Sequence, residues 1–359
     1  MCNGGISKRL VNLAESLVGF IVGGLAMVTV LACMFFAAIS GSGPATVSAI
    51  GSFMIPAMKE RKYHGDFAAA LTAAAGTIGV IIPPSIPFVI YSVVAMTSIG
   101  DMFIAGVIPG ILIGIALMTV CYFTARKRNY LSSKEPPTLA HVGKAFKESL
   151  GALMVPIIIL GGIYGGIFTP TEAAVVAVVY SVIIGKFVYK ELDWKTLYEC
   201  LRSSALINGA TEFMIGLSMA FSNYLALAQI PAMIAQWLSS VSQSPVVILL
   251  LINIFLLIVG CFVDNIAAVI ILTPILLPVV TKLGINPIHF GIIITVNLAI
   301  GFITPPYGIN LFVASAISGE SIERISKQIL PFVFAMTACL MLFTYVPDVS
   351  MWLVRLLRN

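Results

Sequence analysis

The sequence contains few charged residues. Of its 359 residues, 10% are charged and 59% are hydrophobic, whereas soluble chains carry roughly 25% charged residues. This scarcity of charge excludes a water-soluble fold. Its charge-free runs are longer than the about 20 apolar residues that a spanning helix needs, and they do not alternate polar and apolar residues as barrel strands do. The sequence therefore predicts an all-α polytopic membrane protein.

Motifs that carry chemistry are also scarce. The six cysteines are scattered singly, without a C-x-x-C pair, and are interpreted as apolar packing residues. His64, His141 and His289 are assigned to polar loops, which leaves no general base at membrane depth, so we predict that the protein is not an enzyme. The sequence has no G-x-x-x-x-G-K-[ST] loop for ATP and no basic run with interleaved aromatics for nucleic acid. An ion gradient is then the expected energy source.

The first long apolar run must turn inside the membrane. Between Glu15 and Lys59 lie 43 residues without a charge. As one straight helix this run would measure about 65 Å, about twice the thickness of a bilayer core. The Gly-Ser-Gly-Pro segment at 41–44 is the strong breaker near its middle, so we predict a helical hairpin over 23–58. Because lipid does not tolerate unpaired backbone groups, the turn must be buried in protein or line a watery cavity.

The next uncharged run, 67–100, is interrupted by prolines. Pro83 and Pro84 lie at its centre, where missing amide donors and ring clashes stop a helix. We predict one spanning helix over 66–98 that is broken in the middle of the membrane. Amphipathic segments near 6–19 and 193–204 are typical of helices that lie in the membrane interface.

An internal repeat relates the two halves of the chain. A shift of 222 residues superimposes prolines and glycines without a gap: Pro56 on Pro278, Gly79 on Gly301, Pro83-Pro84 on Pro305-Pro306, and Pro109 on Pro331. The second half should therefore contain its own hairpin over 246–281 and its own broken helix over 287–317. Each half is predicted to hold one re-entrant hairpin and one discontinuous helix.

The repeat also divides the chain into domains. We predict a first repeat over 1–125, comprising an interfacial helix, the hairpin, the broken helix and a following helix. A cytoplasmic linker follows over 126–150. The second repeat, 151–359, adds scaffold helices over 151–245 before its hairpin, and ends in a C-terminal helix. Because the part of the second repeat before its hairpin has no counterpart, we expect that about 70 residues, two spanning segments, are missing at the N-terminus.

The distribution of basic residues predicts the orientation. If the first hairpin opens to the cytoplasm, 17 of the 20 Lys and Arg residues lie inside, and only Lys282, Arg355 and Arg358 lie outside. The second hairpin must then open outward. Inverted repeats of this kind are typical of secondary transporters, whose binding site lies between the halves.

Broken helices expose the groups that bind ions. Half-helix N-termini attract anions, while freed carbonyls and hydroxyl oxygens suit Na⁺. We predict two cation sites flanking one anionic substrate, with an ion channel as the rival interpretation. Glu172 is interpreted as the cap of the following helix, whereas the position of Glu212 stays open. The residues around the breaks are Ser40, Ser42 and Ser85 in the first half, and Asp264, Asn265 and Thr304 in the second.

Four segments together resemble the large membrane subunit of TRAP transporters: 3–10 (NGGISKRL), 34–42 (MFFAAISGS), 77–87 (TIGVIIPPSIP) and 166–174 (GIFTPTEAA). The resemblance implies a multi-pass protein of the bacterial inner membrane, with an elevator-type mechanism. It implies Na⁺-driven, ATP-independent uptake of an organic acid, with a periplasmic binding protein and a small four-helix membrane subunit as partners. A stand-alone Na⁺/carboxylate symporter is the second alternative. The sequence leaves the acid open among C4-dicarboxylates, sialic acid, sugar acids and keto acids.

The resemblance also assigns site residues. It implies two Na⁺ sites, one in each half. The first would involve Ser40, Gly41, Gly79, Ile82 and Ser85, and the second Gly260, Gly301, Thr304 and Tyr307. The substrate would contact Ser42, Pro84, Asp264 and Asn265 between them.

Overall fold

The computed structural model describes residues 6–130, 139–229, 233 and 244–358, and their regular structure is helical throughout. Five of the described helices are long and apolar enough to cross a membrane. Shorter apolar helices, such as Gly24–Ser40 and Pro245–Gly260, accompany them. The prediction of an all-α multi-pass membrane protein is confirmed.

The first half folds into six helices. They are α1 (Ile6–Val18), α2 (Gly24–Ser40), α3 (Gly43–Glu60), α4 (Gly65–Gly76), α5 (Ile86–Val94) and α6 (Ile99–Lys127). Helices α2 and α3 pack against each other as a hairpin. A 3₁₀ turn, Thr77–Val80, continues α4 up to the prolines that separate it from α5.

The second half repeats this order after three intervening helices. Those three are α7 (Leu139–Tyr164), α8 (Pro170–Ile183), continued by a π-helical turn at Ile184–Val188, and α9 (Trp194–Leu227). The repeated set is α10 (Pro245–Gly260), α11 (Asn265–Lys282), α12 (Pro287–Gly301), α13 (Ile309–Ser318) and α14 (Ile322–Tyr345), followed by α15 (Asp348–Arg358).

The helix boundaries follow the 222-residue shift. Helix α3 begins at 43 and ends at 60, and α11 begins at 265 and ends at 282, so both ends differ by 222. Helix α12 begins 222 residues after α4. The Pro83-Pro84 and Pro305-Pro306 peptide bonds, one at each break, are both cis. Both predicted hairpins and both predicted broken helices are confirmed.

The two broken helices run in opposite directions. The Tyr91 hydroxyl, near the end of the first, donates to the carbonyl of Pro287 at the start of the second, at 2.5 Å. Conversely, Gly65 at the start of the first lies beside Glu320, just after the end of the second. Each half therefore enters the core from the opposite end of the molecule, which is the inverted arrangement that the sequence predicts.

Basic residues gather at one end of this core, called here the basic end. Tyr130, after α6, stacks on Tyr63, after α3, and the Gln328 amide of α14 donates to Asp66 of α4. These elements therefore end together. Around them lie Lys59, Arg61, Lys62, Arg126, Lys127, Arg128, Arg324 and Lys327.

The broken helices form the centre of the protein, and α7 and α8 its outside. Residues 67–76 of α4 and 289–301 of α12 are buried without exception. By contrast, only 22% of the spanning window in α7 and 17% of that in α8 is buried. Helix α7 packs mainly against α1 and α8. The core thus lies behind a thin outer layer.

Several details differ from the sequence-based expectations. His289 does not lie in a polar loop: it is 3% exposed inside α12, and its Nε2 lies 2.8 Å from the Phe343 carbonyl oxygen. The segment 193–204 is continuous with a 34-residue helix, α9. Helix α7 already begins at Leu139, within the predicted linker, whose residues 131–138 lie outside the described part of the chain. The N-terminal half of the NGGISKRL segment also lies outside it.

Candidate functional site

The first hairpin turns at Gly41. This residue adopts a left-handed backbone conformation, with φ of 62°, which favours glycine. Its carbonyl accepts a hydrogen bond from the amide of Ile86 at 3.2 Å, which ties the turn to the residues just after the prolines. Beside it, the hydroxyls of Ser40 and Thr46 lie 2.7 Å apart, and Thr46 donates to the Ser42 carbonyl at 2.8 Å.

The first break packs directly on this turn. A Cβ atom built on Gly79 would lie 2.5 Å from the Ser42 carbonyl oxygen, so only glycine permits this approach. Ser85 begins α5: its hydroxyl donates to the Val80 carbonyl at 2.7 Å and accepts from the Phe88 amide at 3.4 Å. Ile82 precedes the prolines and is half-buried against Gly110. The five residues assigned to the first Na⁺ site thus lie along one turn and one break.

A cavity opens beside the first turn. Its volume is about 410 Å³, and its lining includes Ser40, Gly41, Pro84 and Ser85. The opposite wall comes from the outer layer, with Ile159 of α7 and the N-terminal residues 170–171 of α8. A cavity of this size can hold a small organic molecule. It lies between the core and the outer layer.

The second hairpin and break meet in a similar way. A Cβ atom on Gly301 would lie 2.2 Å from the Gly260 carbonyl oxygen, so the two glycines are in backbone contact. The carbonyl of Cys261 accepts from the amide of Tyr307 at 3.1 Å. The Thr304 hydroxyl donates to the Ile300 carbonyl at 2.8 Å. In both halves, therefore, a carbonyl at the hairpin turn receives an amide from beyond the proline pair.

The predicted acidic residue of the second turn caps a helix. The Asp264 carboxylate accepts from the Ile266 amide at 3.0 Å at the start of α11. The next residue, Asn265, is 1% exposed, and neither polar atom of its side chain has a hydrogen-bond partner among the described residues. A buried amide without partners carries a large desolvation cost, so Asn265 is the side chain at this turn that is most available to a ligand.

Sequence reasoning missed Asn310, which joins the two halves. Its side-chain amide donates to the Ala73 carbonyl of α4 at 3.0 Å, and its backbone amide donates to the Phe302 carbonyl at 3.0 Å. The side-chain oxygen is buried, has no partner among the described residues, and lies against Gly43 of the first turn. The 222-residue shift places Phe88 at the corresponding position, and this exchange of Phe for Asn is the signal that would have revealed it.

The two remaining acidic candidates lie away from the breaks. Glu172 caps α8 as predicted: its carboxylate accepts from the Thr169 amide at 2.8 Å, and the Thr169 hydroxyl accepts from the Glu172 amide at 3.3 Å. Glu212 is exposed on α9. Neither belongs to the site.

The fold and the paired breaks define a helical membrane protein of the secondary-transporter class. Residues 1–349 match the family described as "Tripartite ATP-independent periplasmic transporter, DctM component". The chain belongs to this family of TRAP transporter components.

Relatives and one solved structure agree with this assignment. The chain is 50% identical over 349 residues to the isethionate TRAP transporter permease protein DctMQ of Oleidesulfovibrio alaskensis, and spans 97% of itself but 55% of that protein. It is 44% identical to the C4-dicarboxylate TRAP transporter large permease protein DctM of Pseudomonas aeruginosa, with 98% and 82% covered. It is 39% identical to the sialic acid TRAP transporter large permease protein SiaM of Vibrio cholerae, with 99% and 83% covered. The Alcanivorax borkumensis YdaH transporter shares the fold, with a TM-score of 0.62 at 17% identity over 96% of this chain and 83% of that one.

Proposed function

We propose that the chain is the large permease subunit of a tripartite transporter that uses a Na⁺ gradient to take up a small organic anion. The observation that carries this proposal is the pair of turns, each seated on the break of its own half through a carbonyl–amide hydrogen bond. Discontinuous helices arranged as inverted repeats are the usual ion and substrate sites of secondary transporters.

Na⁺ is the proposed coupling ion, with one ion at each break. The hydroxyls of Ser85 and Thr304 and the close-packed backbone of Gly79 and Gly301 are hard oxygen sources of the kind that Na⁺ prefers. Ser40, Gly41 and Ile82 complete the first set, and Gly260 and Tyr307 the second. Since Asn310 hydrogen-bonds to both broken helices, occupation of one site is expected to stabilise the other.

The proposed substrate site lies between the turns, beside the 410 Å³ cavity. Pro84 lines this cavity, Ser42 lies at the first turn, and Asp264 and Asn265 lie at the second. Helix N-termini at α5 and α8 face anions favourably. The named relatives act on isethionate, C4-dicarboxylates and sialic acid, all of which are small organic acids, and this chain is proposed to carry an acid of this general class.

The proposed partners are a small four-helix membrane subunit and a periplasmic binding protein, in the bacterial inner membrane. The apolar, exposed faces of α7 and α8 lie in the outer layer and provide a surface for the membrane subunit. The elevator motion follows from the same layering: the core with both hairpins would slide against the outer layer, and the cavity lies at their boundary.

Reconstitution in proteoliposomes with both partners tests the proposal. An inward Na⁺ gradient should drive concentrative uptake of the cognate acid, and uptake should depend on Na⁺ more steeply than first order. Uptake of the same size with K⁺ in place of Na⁺ would contradict the proposal. So would single-channel currents in a planar bilayer, which would indicate a pore.

A further inference from the structure

A second cavity lies at the basic end, far in the fold from the turns. It has a volume of about 430 Å³ and separates the end of α6 from the start of α14. Its lining includes Phe123, Lys127, Arg128, Gln328 and Phe332. It shares no lining residue with the cavity beside the first turn, so it is not part of the proposed substrate site.

Arg128 is held in place without being neutralised. Its guanidinium donates to the Gln328 amide oxygen at 2.6 Å, and it lies 5.3 Å from the centroid of the Phe67 ring. Within the described ranges, neither Arg128 nor Lys127 forms an ion pair with a carboxylate. Two positive charges are therefore directed at one cavity with no anion of the protein between them.

Exposed apolar side chains continue from these charges toward the middle of the membrane. Phe123 lies one helical turn before Lys127 and is 64% exposed. On the facing helix α14, Leu330 is 54% and Phe334 72% exposed. The pattern is a pair of cations at the helix ends with an apolar path one turn deeper. This pattern matches a phosphate headgroup and its acyl chain, and basic pockets between spanning helices are typical sites for anionic lipids.

We infer that this cavity binds an anionic phospholipid. The phosphate lies against Lys127 and Arg128, and an acyl chain follows Phe123 and Phe334. By the positive-inside rule the basic end faces the cytoplasm, so the lipid belongs to the cytoplasmic leaflet. A free phosphate ion would use the cations but not the apolar path. The bound lipid would brace α6 and α14 where both meet the start of α4.

Native mass spectrometry of the full chain, released from detergent, tests the inference. Wild-type protein mixed with dioleoyl phosphatidylglycerol should retain it in preference to the matching phosphatidylcholine. The Lys127→Gln/Arg128→Gln variant should retain it more weakly, about fivefold for each charge removed and about thirtyfold for the pair. Lys127→Gln alone is exposed and should fold normally, so it provides an independent measurement if the double variant is unstable.

Arg126→Gln is the matched control. It removes the same charge from the same exposed helix end, but Arg126 does not line the cavity, so retention should stay as in wild type. Equal loss in Arg126→Gln, or unchanged retention in the double variant, would overturn the inference. Displacement of the lipid by millimolar inorganic phosphate would also overturn it, because it would indicate an anion site rather than a lipid site.

Discussion

The two broken helices have the same boundaries after the shift, but different interiors. The first is lined with small residues, Ala68–Ala70 and Ala73–Ala75, all of which are fully buried. Where the first has Phe67, Ala73 and Ala75, the second has His289, Thr295 and Asn297. Small residues allow helices to approach closely, while polar residues join helices through hydrogen bonds inside a membrane.

The polar residues of the second half form a chain across three helices. The Asn297 amide of α12 donates to Asn253 of α10 at 2.7 Å, and the Asn253 amide donates to Thr344 of α14 at 2.9 Å. All three side chains are at most 2% exposed. The comparison teaches that one backbone plan is stabilised by close packing in one half and by buried hydrogen bonds in the other.

The largest expected effect comes from closing the backbone contacts at the breaks. Gly301→Ala should reduce Na⁺-driven uptake to below about a tenth of wild type, since the new Cβ meets only backbone atoms, the nearest at 2.2 Å, and overpacking costs about 1–3 kcal/mol. Gly79→Ala should reduce it less, because one of its closest atoms is the movable Thr46 side chain. Uptake per inserted protein measures both.

Gly161→Ala is the control for this pair, because no atom lies within 4 Å of the added Cβ. It should transport normally. Full transport by Gly301→Ala would mean that the second turn does not need close contact with its break, and the two halves would then differ more than their backbones indicate.

An intermediate effect is expected from the two hydroxyls. Ser85→Ala removes both a cap of α5 and a cavity-lining oxygen, so the Na⁺ concentration for half-maximal uptake should rise about tenfold. Thr304→Val should raise it only about threefold, because the Thr304 hydroxyl bonds within its own helical turn. Ser52→Ala, on the exposed face of α3, should leave it unchanged. An equal shift at Ser85 and Thr304 would remove the predicted asymmetry between the sites.

The smallest effect concerns stability alone. Asn297→Ala and Asn253→Ala should each lower the free energy of unfolding in detergent by about 1 kcal/mol, because each leaves a buried amide group unpaired. The double variant should lose less than the sum of the two, since both changes remove the same hydrogen bond. Strict additivity in thermal unfolding would show that the chain does not act as a unit.

Local signals predicted the hairpins and breaks, while contacts distant in sequence were out of reach. Glycine and proline act on their own backbone, so 41–44 and the proline pairs located the turns and breaks. His289 follows a proline in a polar stretch, and only packing against α14 shows that it is buried. Asn310 contacts a carbonyl 237 residues away. The shift could have exposed it as the polar counterpart of Phe88, but not its partners. Which ions and substrate the named site residues bind stays a prediction.

The most direct test of the inverted arrangement is cysteine labelling at two matched positions in a cysteine-free background. Lys62 and Gly284 lie 222 residues apart, each just beyond its hairpin, and both are exposed with positive φ. In right-side-out vesicles a membrane-impermeant maleimide should label Gly284→Cys but not Lys62→Cys, and inside-out vesicles should give the reverse. Labelling of both positions from the same side would contradict the account.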